Sequence, residues 1–144
     1  MSVALNQSKT RIKLKIRYSE TDQMGVANHA RYFDWFSEGR IAWLEDRGER
    51  YADWEQAGWV LPVINAECKY FRSVKFQELV ELNINVTTFN PRKVVFNYKL
   101  LNSEDSSLIA TASTTHVFLH QDKLRRLKSA YYEVFSRQPE RVSL

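Results

Sequence analysis

The chain has 144 residues, of which 44% are hydrophobic and 13% aromatic, so it can bury a sizeable core. That length suits one globular domain, and we treat residues 1–144 as a single domain. The single cysteine, Cys68, excludes an internal disulfide and a cysteine-based zinc site.

The charge and hydropathy patterns bear on partners and location. The net charge of +4 is modest and spread along the chain, so we expect no nucleic-acid partner, although it suits a small polyanionic ligand. No apolar run approaches the length of a bilayer span, and residues 1–11 lack the apolar core of a signal peptide. The expectation is a cytoplasmic protein that does not bind membranes.

Two patterns near the start of the chain predict a strand and then a long helix. In residues 11–18 apolar and basic side chains alternate, the period of a half-buried strand, with Ile12, Leu14, Ile16 and Tyr18 on the apolar face. After a polar turn, apolar residues recur at helical spacing up to Gly48; they are Tyr32, Phe33, Phe36, Trp43 and Leu44. Gly39, within this helix, predicts that the helix approaches a sheet closely.

The rest of the chain is dominated by strands with short turns. In order, the pattern predicts a short helix at 50–57, a strand at 63–70, strands at 80–87, 94–100 and 108–119, and a short helix at 129–137. Pro62 marks the second strand as a start or an edge. The implied fold is α+β, with an antiparallel five-stranded sheet packed on one helix. Val63, Val95 and Val117 remain on the other face, so we expect a second subunit to cover it.

The polar stretch between the first strand and the long helix carries the chemistry. Asp22 and His29 lie seven residues apart, with Gly25 between them to allow a turn and Asn28 where a helix N-cap is expected. This spacing predicts a carboxylate and an imidazole at the N-terminal end of the helix.

This stretch resembles the hotdog-fold acyl-CoA thioesterases, in particular the branch around the 4-hydroxybenzoyl-CoA thioesterases. The residues that match in order and spacing are Thr21, Asp22, Gly25, Val26, His29 and Tyr32, followed by Phe36 and Arg40. Asn28 stands where this branch usually has a tyrosine before the histidine. At this position the chain looks more like a sister branch of the family. The resemblance implies a sheet wrapped around a central helix, homodimers or homotetramers, an acyl-CoA substrate, and no metal or cofactor.

The residues suggest how a thioester would be hydrolysed. Asp22 can act as the nucleophile or as a general base on water, and backbone amides around His29 and Ala30 can hold the oxyanion. The His29 side chain can orient the Asp22 carboxylate or the thioester carbonyl, and Thr21 is a supporting candidate. The structural alternatives are that Asp22 only forms the turn and that His29 only caps the helix.

Candidate substrate contacts fall into two groups. Gly25, Val26, Ala30 and Tyr32 lie next to Asp22 and His29 in the sequence. For the phosphates of coenzyme A the candidates are Arg92 and Lys93 in a turn, and then Lys123, Arg125 and Arg126. A non-catalytic module that binds acyl-CoA or acyl-carrier protein is the alternative function on the same fold.

Other reactive side chains are expected to be structural. His116 and His120 are four residues apart in a strand and its turn, which does not favour a metal site, and Cys68 fits a core position. Glu20 and Glu38 are expected to be solvated or paired with Arg40.

Overall fold

The computed structural model describes residues 9–139, which form an antiparallel sheet against one long helix. The strands, in chain order, are β1 Thr10–Lys15, β2 Trp59–Val60, β3 Val63–Tyr70, β4 Leu79–Asn90, β5 Lys93–Asn102, β6 Leu108–Val117, β7 Leu119–His120 and β8 Lys123–Leu124. The helices are α1 Arg31–Glu45 and α2 Tyr51–Gln56, with 3-10 turns at Tyr18–Glu20 and Ser129–Ser136. The main sheet has the strand order β1-β4-β5-β6-β3. The predicted five-stranded α+β arrangement is confirmed.

The core lies between α1 and the sheet. The alternating residues of β4 that face α1 are fully buried, and they are Val80, Leu82, Ile84 and Val86. A Cβ added at Gly39 would lie 2.8 Å from Ile84 Cγ1 and 3.0 Å from Leu82 Cδ2. The predicted close approach of helix and sheet is therefore confirmed at Gly39.

The first strand is shorter than predicted, because a buried carboxylate redirects the chain after Lys15. Glu20 is only 5% exposed, and its Oε1 accepts the Arg17 backbone N–H at 2.8 Å while its Oε2 accepts the Trp35 indole N–H at 2.6 Å. Tyr18 consequently lies in a 3-10 turn and is 77% exposed, so its predicted place on the buried face of the strand was wrong.

The same contacts correct the expectation for Glu20, which is neither solvated nor paired with Arg40. The Arg40 guanidinium donates instead to the hydroxyls of Tyr98 and Ser37, both at 3.0 Å. Glu38 is exposed, as expected.

A second, three-stranded sheet of order β2-β7-β8 was not predicted. Its strands are only two residues long, too short for alternation to show. The Trp59 and His120 rings pack 4.6 Å apart on it. The C-terminal predicted helix is a 3-10 helix, Ser129–Ser136.

The edge strand β3 and the face opposite α1 are open to solvent. Val63 and Ile64 of β3 are 44% and 60% exposed, and β3 has a neighbour, β6, on only one side. Val95 and Val117 are half-buried on the far face. Among the described residues no helix is long and apolar enough to span a membrane.

Candidate active site

A hydrogen-bonded turn positions the Asp22 carboxylate. The Asp22 N–H donates to Val26 O at 2.9 Å, and the Gly25 N–H donates to Asp22 O at 3.0 Å. Gly25 has φ +76, a conformation that side chains disfavour. The Thr21 hydroxyl donates to Tyr18 O at 2.7 Å, which fixes the residue before Asp22.

The two oxygens of this carboxylate have different surroundings. Asp22 Oδ1 accepts the Met24 N–H at 2.9 Å, the bond of a turn-forming aspartate. Within residues 9–139, Oδ2 accepts no hydrogen bond, and the side chain is exposed. The turn therefore holds one oxygen and leaves the other able to take a proton or attack a carbonyl carbon.

The N-terminal end of α1 lies directly after this turn. Asn28 Oδ1 accepts the Ala30 N–H at 2.9 Å, and Asn28 O accepts the Arg31 N–H at 2.9 Å. Asn28 thus caps the turn that leads into α1, although regular helix begins only at Arg31. The Ala30 N–H is therefore already bonded, whereas the His29 N–H has no acceptor in the described part of the chain.

The end of β3 forms the opposite wall. The Tyr70 hydroxyl donates to His29 O at 3.3 Å, and the Tyr70 and His29 rings meet edge to face at 6.1 Å. Burial, together with the neighbouring Cys68 thiol, raises the pKa of Tyr70 to about 12, so the hydroxyl stays protonated and can donate. Burial also raises the pKa of Cys68, which suits the expected structural role better than a nucleophilic one.

Tyr32 and Arg72 complete this wall. Tyr32 is buried with its ring 4.9 Å from that of Tyr70, and burial raises its pKa. The Arg72 guanidinium pairs with the Glu78 carboxylate. Burial alone would raise the pKa of Glu78, but the hydrogen bonds from Arg72, Asn102 and Lys75 lower it overall, so the pair is ionised.

These walls enclose an open cleft of about 420 Å³. It is lined by Asp22, Val26, Ala27, Asn28, His29, Tyr32, Tyr70, Phe71, Arg72 and Ser73. Four predicted site residues, Asp22, Val26, His29 and Tyr32, therefore lie together, while Thr21, Gly25 and Ala30 belong to the turn and helix start behind them. Tyr70 and Arg72 were not predicted as site residues. The alternation along β3 predicts that Tyr70 and Cys68 share a face. It could not predict that Tyr70 lies beside His29, because that contact joins residues 41 positions apart.

The candidate phosphate ligands lie elsewhere. Arg92 and Lys93 are exposed at the β4–β5 turn, whereas the cleft lies beside the other end of β4, a strand of 12 residues that spans at most about 36 Å at ~3.3 Å per residue. The Leu127 N–H donates to Pro91 O at 2.7 Å, so the segment with Arg125 and Arg126 lies next to that turn. One chain does not bring these basic residues to Asp22.

The two strand histidines serve different parts of the structure. His116 is fully buried and bonds Thr114 Oγ1 at 2.8 Å and Leu61 O at 2.9 Å, and burial lowers its pKa to about 4. His120 Nε2 lies 3.0 Å from Ala57 O. Over residues 9–139 no group of three or more His, Cys, Asp or Glu side chains is placed to hold a metal ion.

The chain is similar in sequence and in fold to proteins named as thioesterases. The chain is 28% identical over 116 residues to YneP of Bacillus subtilis, a candidate acyl-CoA thioesterase, and the match spans 81% of this chain and 83% of that protein. The DHNA-CoA thioesterase of Staphylococcus aureus superposes with a TM-score of 0.80 and 31% identity, covering 86% of this chain and 83% of its own.

A more distant structure shows the same fold. A mutant 4-hydroxybenzoyl CoA thioesterase in complex with 4-hydroxybenzoyl CoA has a TM-score of 0.80 at 12% identity, covering 89% of this chain and 99% of its own. Residues 16–138 match the model of the thioesterase-like superfamily. The predicted hotdog fold is thus confirmed, and the chain belongs to the thioesterase-like superfamily.

Proposed function

We propose that the protein is an acyl-CoA thioesterase that releases a carboxylic acid and coenzyme A. The observation that carries this proposal is the Asp22 carboxylate, which lines the cleft and is held by the Met24 N–H through one oxygen only. It lies at the N-terminal end of α1, where the His29 amide is available for an oxyanion. The thioesterases among the similar proteins support the same substrate class.

Two routes use this arrangement. As a general base, Asp22 removes a proton from water while the water oxygen attacks the thioester carbonyl carbon. The oxyanion then collapses, the C–S bond breaks, and the leaving thiolate takes up the proton that Asp22 removed from water, which regenerates the carboxylate. As a nucleophile, Asp22 instead forms an anhydride with the acyl group, expels the thiolate, and is regenerated when water hydrolyses the anhydride. Neither route requires a metal or a redox cofactor.

The position of the basic residues argues for a homodimer. The β3 edge carries exposed backbone groups and the exposed Ile64, so two copies can pair antiparallel through it and bury both edges. A two-fold axis through that pair places the Val63 end of one β3 beside the Tyr70 end of the other. Arg92 and Lys93 of the partner subunit would then lie at the cleft end of the joint sheet.

In this arrangement Arg92 and Lys93 of the partner subunit can contact the phosphates of coenzyme A. Coenzyme A is long and carries its phosphates far from the thioester, so phosphate contacts need not come from the residues that line the cleft. In the proposed dimer one subunit supplies Asp22 and His29, and the other supplies the basic turn. Pairing of two such dimers into a tetramer would cover Val95 and Val117 on the far face.

The test is thiol release, followed with a chromogenic disulfide, from short, medium, long and aromatic acyl-CoAs. We expect saturable hydrolysis of at least one class, with a kcat in the range of about 1–10³ s⁻¹ typical of enzymes. Binding of acyl-CoA, measured by calorimetry, without hydrolysis of any class would favour the non-catalytic binding module instead.

A further inference from the structure

A second pocket lies under the middle of α1, separate from the cleft at its N-terminal end. It is a partly open cavity of about 160 Å³. The lining residues are Ser37, Arg40, Ile41, Leu44, Tyr51, Leu61, Phe96 and His116. The cavity and the cleft share no lining residue.

A network of hydrogen bonds runs along one wall of this cavity. Which group donates in each bond follows from Leu61 O. A carbonyl oxygen only accepts, so His116 Nδ1, 2.9 Å away, must carry the proton. The neutral ring then accepts at Nε2, and the Thr114 hydroxyl, 2.8 Å away, is its donor. Thr114 Oγ1 in turn accepts from the Tyr98 hydroxyl at 2.6 Å, and Tyr98 accepts from Arg40. Tyr98, Thr114 and His116 therefore each accept one hydrogen bond and donate one within this network, so their own protons are all used.

The hydrogen-bond donors left at the cavity belong to Arg40 and Tyr51. Arg40 is half-buried, has five N–H groups, and within residues 9–139 is bonded only to the neutral hydroxyls of Tyr98 and Ser37. No carboxylate of the described residues pairs with it. The Tyr51 hydroxyl accepts the Leu61 N–H at 3.3 Å, which leaves its own proton to donate.

The remaining wall is apolar. It is formed by Ile41, Leu44, Leu61 and Phe96. A cavity of about 150 Å³ holds a benzene-sized molecule, so this one takes an apolar group of about six carbons.

We propose that this cavity is a binding site for a small organic carboxylate, held by Arg40 and the Tyr51 hydroxyl with its hydrocarbon part against Phe96 and Leu44. An anion accepts the hydrogen bonds that Arg40 and Tyr51 can donate, and it balances the Arg40 cation, which has no carboxylate partner among the described residues. The site requires no catalytic step, so it stands independently of hydrolysis at Asp22.

Titration with hexanoate, followed by two-dimensional NMR of ¹⁵N-labelled full-length protein, tests this site. We expect saturable shifts at Ile41, Phe96 and the Arg40 side chain rather than at His29 and Tyr70. Hexanamide, the neutral isostere, should bind about tenfold or more weakly, because charge-assisted hydrogen bonds are lost. Equal binding of acid and amide, or shifts only around His29, would overturn the proposal.

Two matched variants on the same helix assign the effect to Arg40. Arg40→Met should abolish the preference for hexanoate over hexanamide, whereas Arg31→Met, at an exposed arginine paired with Asp34, should keep it. If Arg40→Met does not fold, Arg40→Lys retains the charge and should keep a reduced preference. Undiminished preference in Arg40→Met refutes the site, as would failure of hexanoate to bind the wild type.

Discussion

The Asp22 carboxylate combines a structural bond with a chemically free oxygen. Oδ1 accepts the Met24 N–H at 2.9 Å, so the turn-forming interpretation of this residue is correct as far as that oxygen goes. This bond is compatible with the proposed catalytic role, because Asp22 lines the cleft and Oδ2 accepts no hydrogen bond within residues 9–139. Asp22→Asn therefore separates the turn-forming role from the proposed catalytic role. Asparagine keeps an oxygen that can accept the Met24 N–H, so it can form the same turn.

Tyr70 supports the start of α1 from the opposite wall. Its hydroxyl bonds the carbonyl of His29, whose amide is the proposed oxyanion donor. We expect Tyr70→Phe to lower kcat by about 3- to 10-fold, the cost of a net hydrogen bond of roughly 1 kcal/mol, with little change in KM. Initial-rate kinetics measures this, with Tyr132→Phe, the same substitution at a residue that does not line the cleft, as the matched control. An unchanged kcat would show that the bond does not contribute to the site.

His116 should make stability depend on pH. Burial lowers its folded pKa to about 4 from the ordinary value of 6.5, so between these values the unfolded chain binds the proton and the folded chain does not. Stability is therefore present above about pH 6.5 and is lost as pH falls toward 4. Between pH 7 and pH 5 the loss from this group is about 2 kcal/mol.

Urea unfolding at both pH values checks this expectation. Other groups titrate too, so the informative quantity is the difference between wild type and His116→Gln, whose amide can still donate and accept. The variant should lose about 2 kcal/mol less than the wild type over this interval. The same loss in both proteins would mean that His116 is not the titrating group.

At the level of elements, α1 and its contact with β4 were predicted well from the sequence. Regular spacing of large apolar residues indicates a helix, and Gly39 in its middle indicates the point of closest approach. The end of β1 was not predictable from alternation. The chain leaves the sheet where the Glu20 carboxylate accepts the Arg17 N–H. That carboxylate is held by the Trp35 indole, fifteen positions away in the sequence, so the contact forms only in the folded chain.

Gly39→Val tests the helix–sheet contact. The added side chain would meet Ile84 and Leu82 at about 3 Å or less, and we expect a destabilisation of about 1–3 kcal/mol despite the slightly better helix propensity of valine. Denaturant unfolding measures it. Glu38→Val, at the exposed neighbouring position, should change stability by only a few tenths of a kcal/mol. Equal effects would place the cost in helix propensity rather than in packing.

At the scale of the whole molecule, the sequence indicated the basic residues but could not place them. Arg92 and Lys93 lie in an exposed turn at the far end of the sheet from Asp22, because β4 runs the length of the sheet between them. Strand order and register are set by contacts distant in sequence, so no local pattern reports them. A second subunit is the simplest way to bring such a turn to the cleft.

Ile64→Lys tests the proposed dimer. Ile64 is 60% exposed on the β3 edge, so lysine there should oppose edge-to-edge pairing while leaving the monomer folded. Light scattering after gel filtration should give a dimer or a tetramer for the wild type and a smaller species for the variant. Leu124→Lys, at a 66% exposed position on β8, is the control and should assemble normally. A monomeric wild type would refute the dimer.

The most direct test of the central claim compares the turnover of wild type, Asp22→Asn and Asp34→Asn on the acyl-CoA that the wild type hydrolyses best. Asparagine keeps the acceptor for Met24 but cannot act as base or nucleophile, so Asp22→Asn should lower kcat by about 10²- to 10⁴-fold with an unchanged fold. Asp34→Asn, at an exposed carboxylate paired only with Arg31, should retain wild-type turnover. Near-normal turnover in Asp22→Asn would contradict the account and limit Asp22 to its turn.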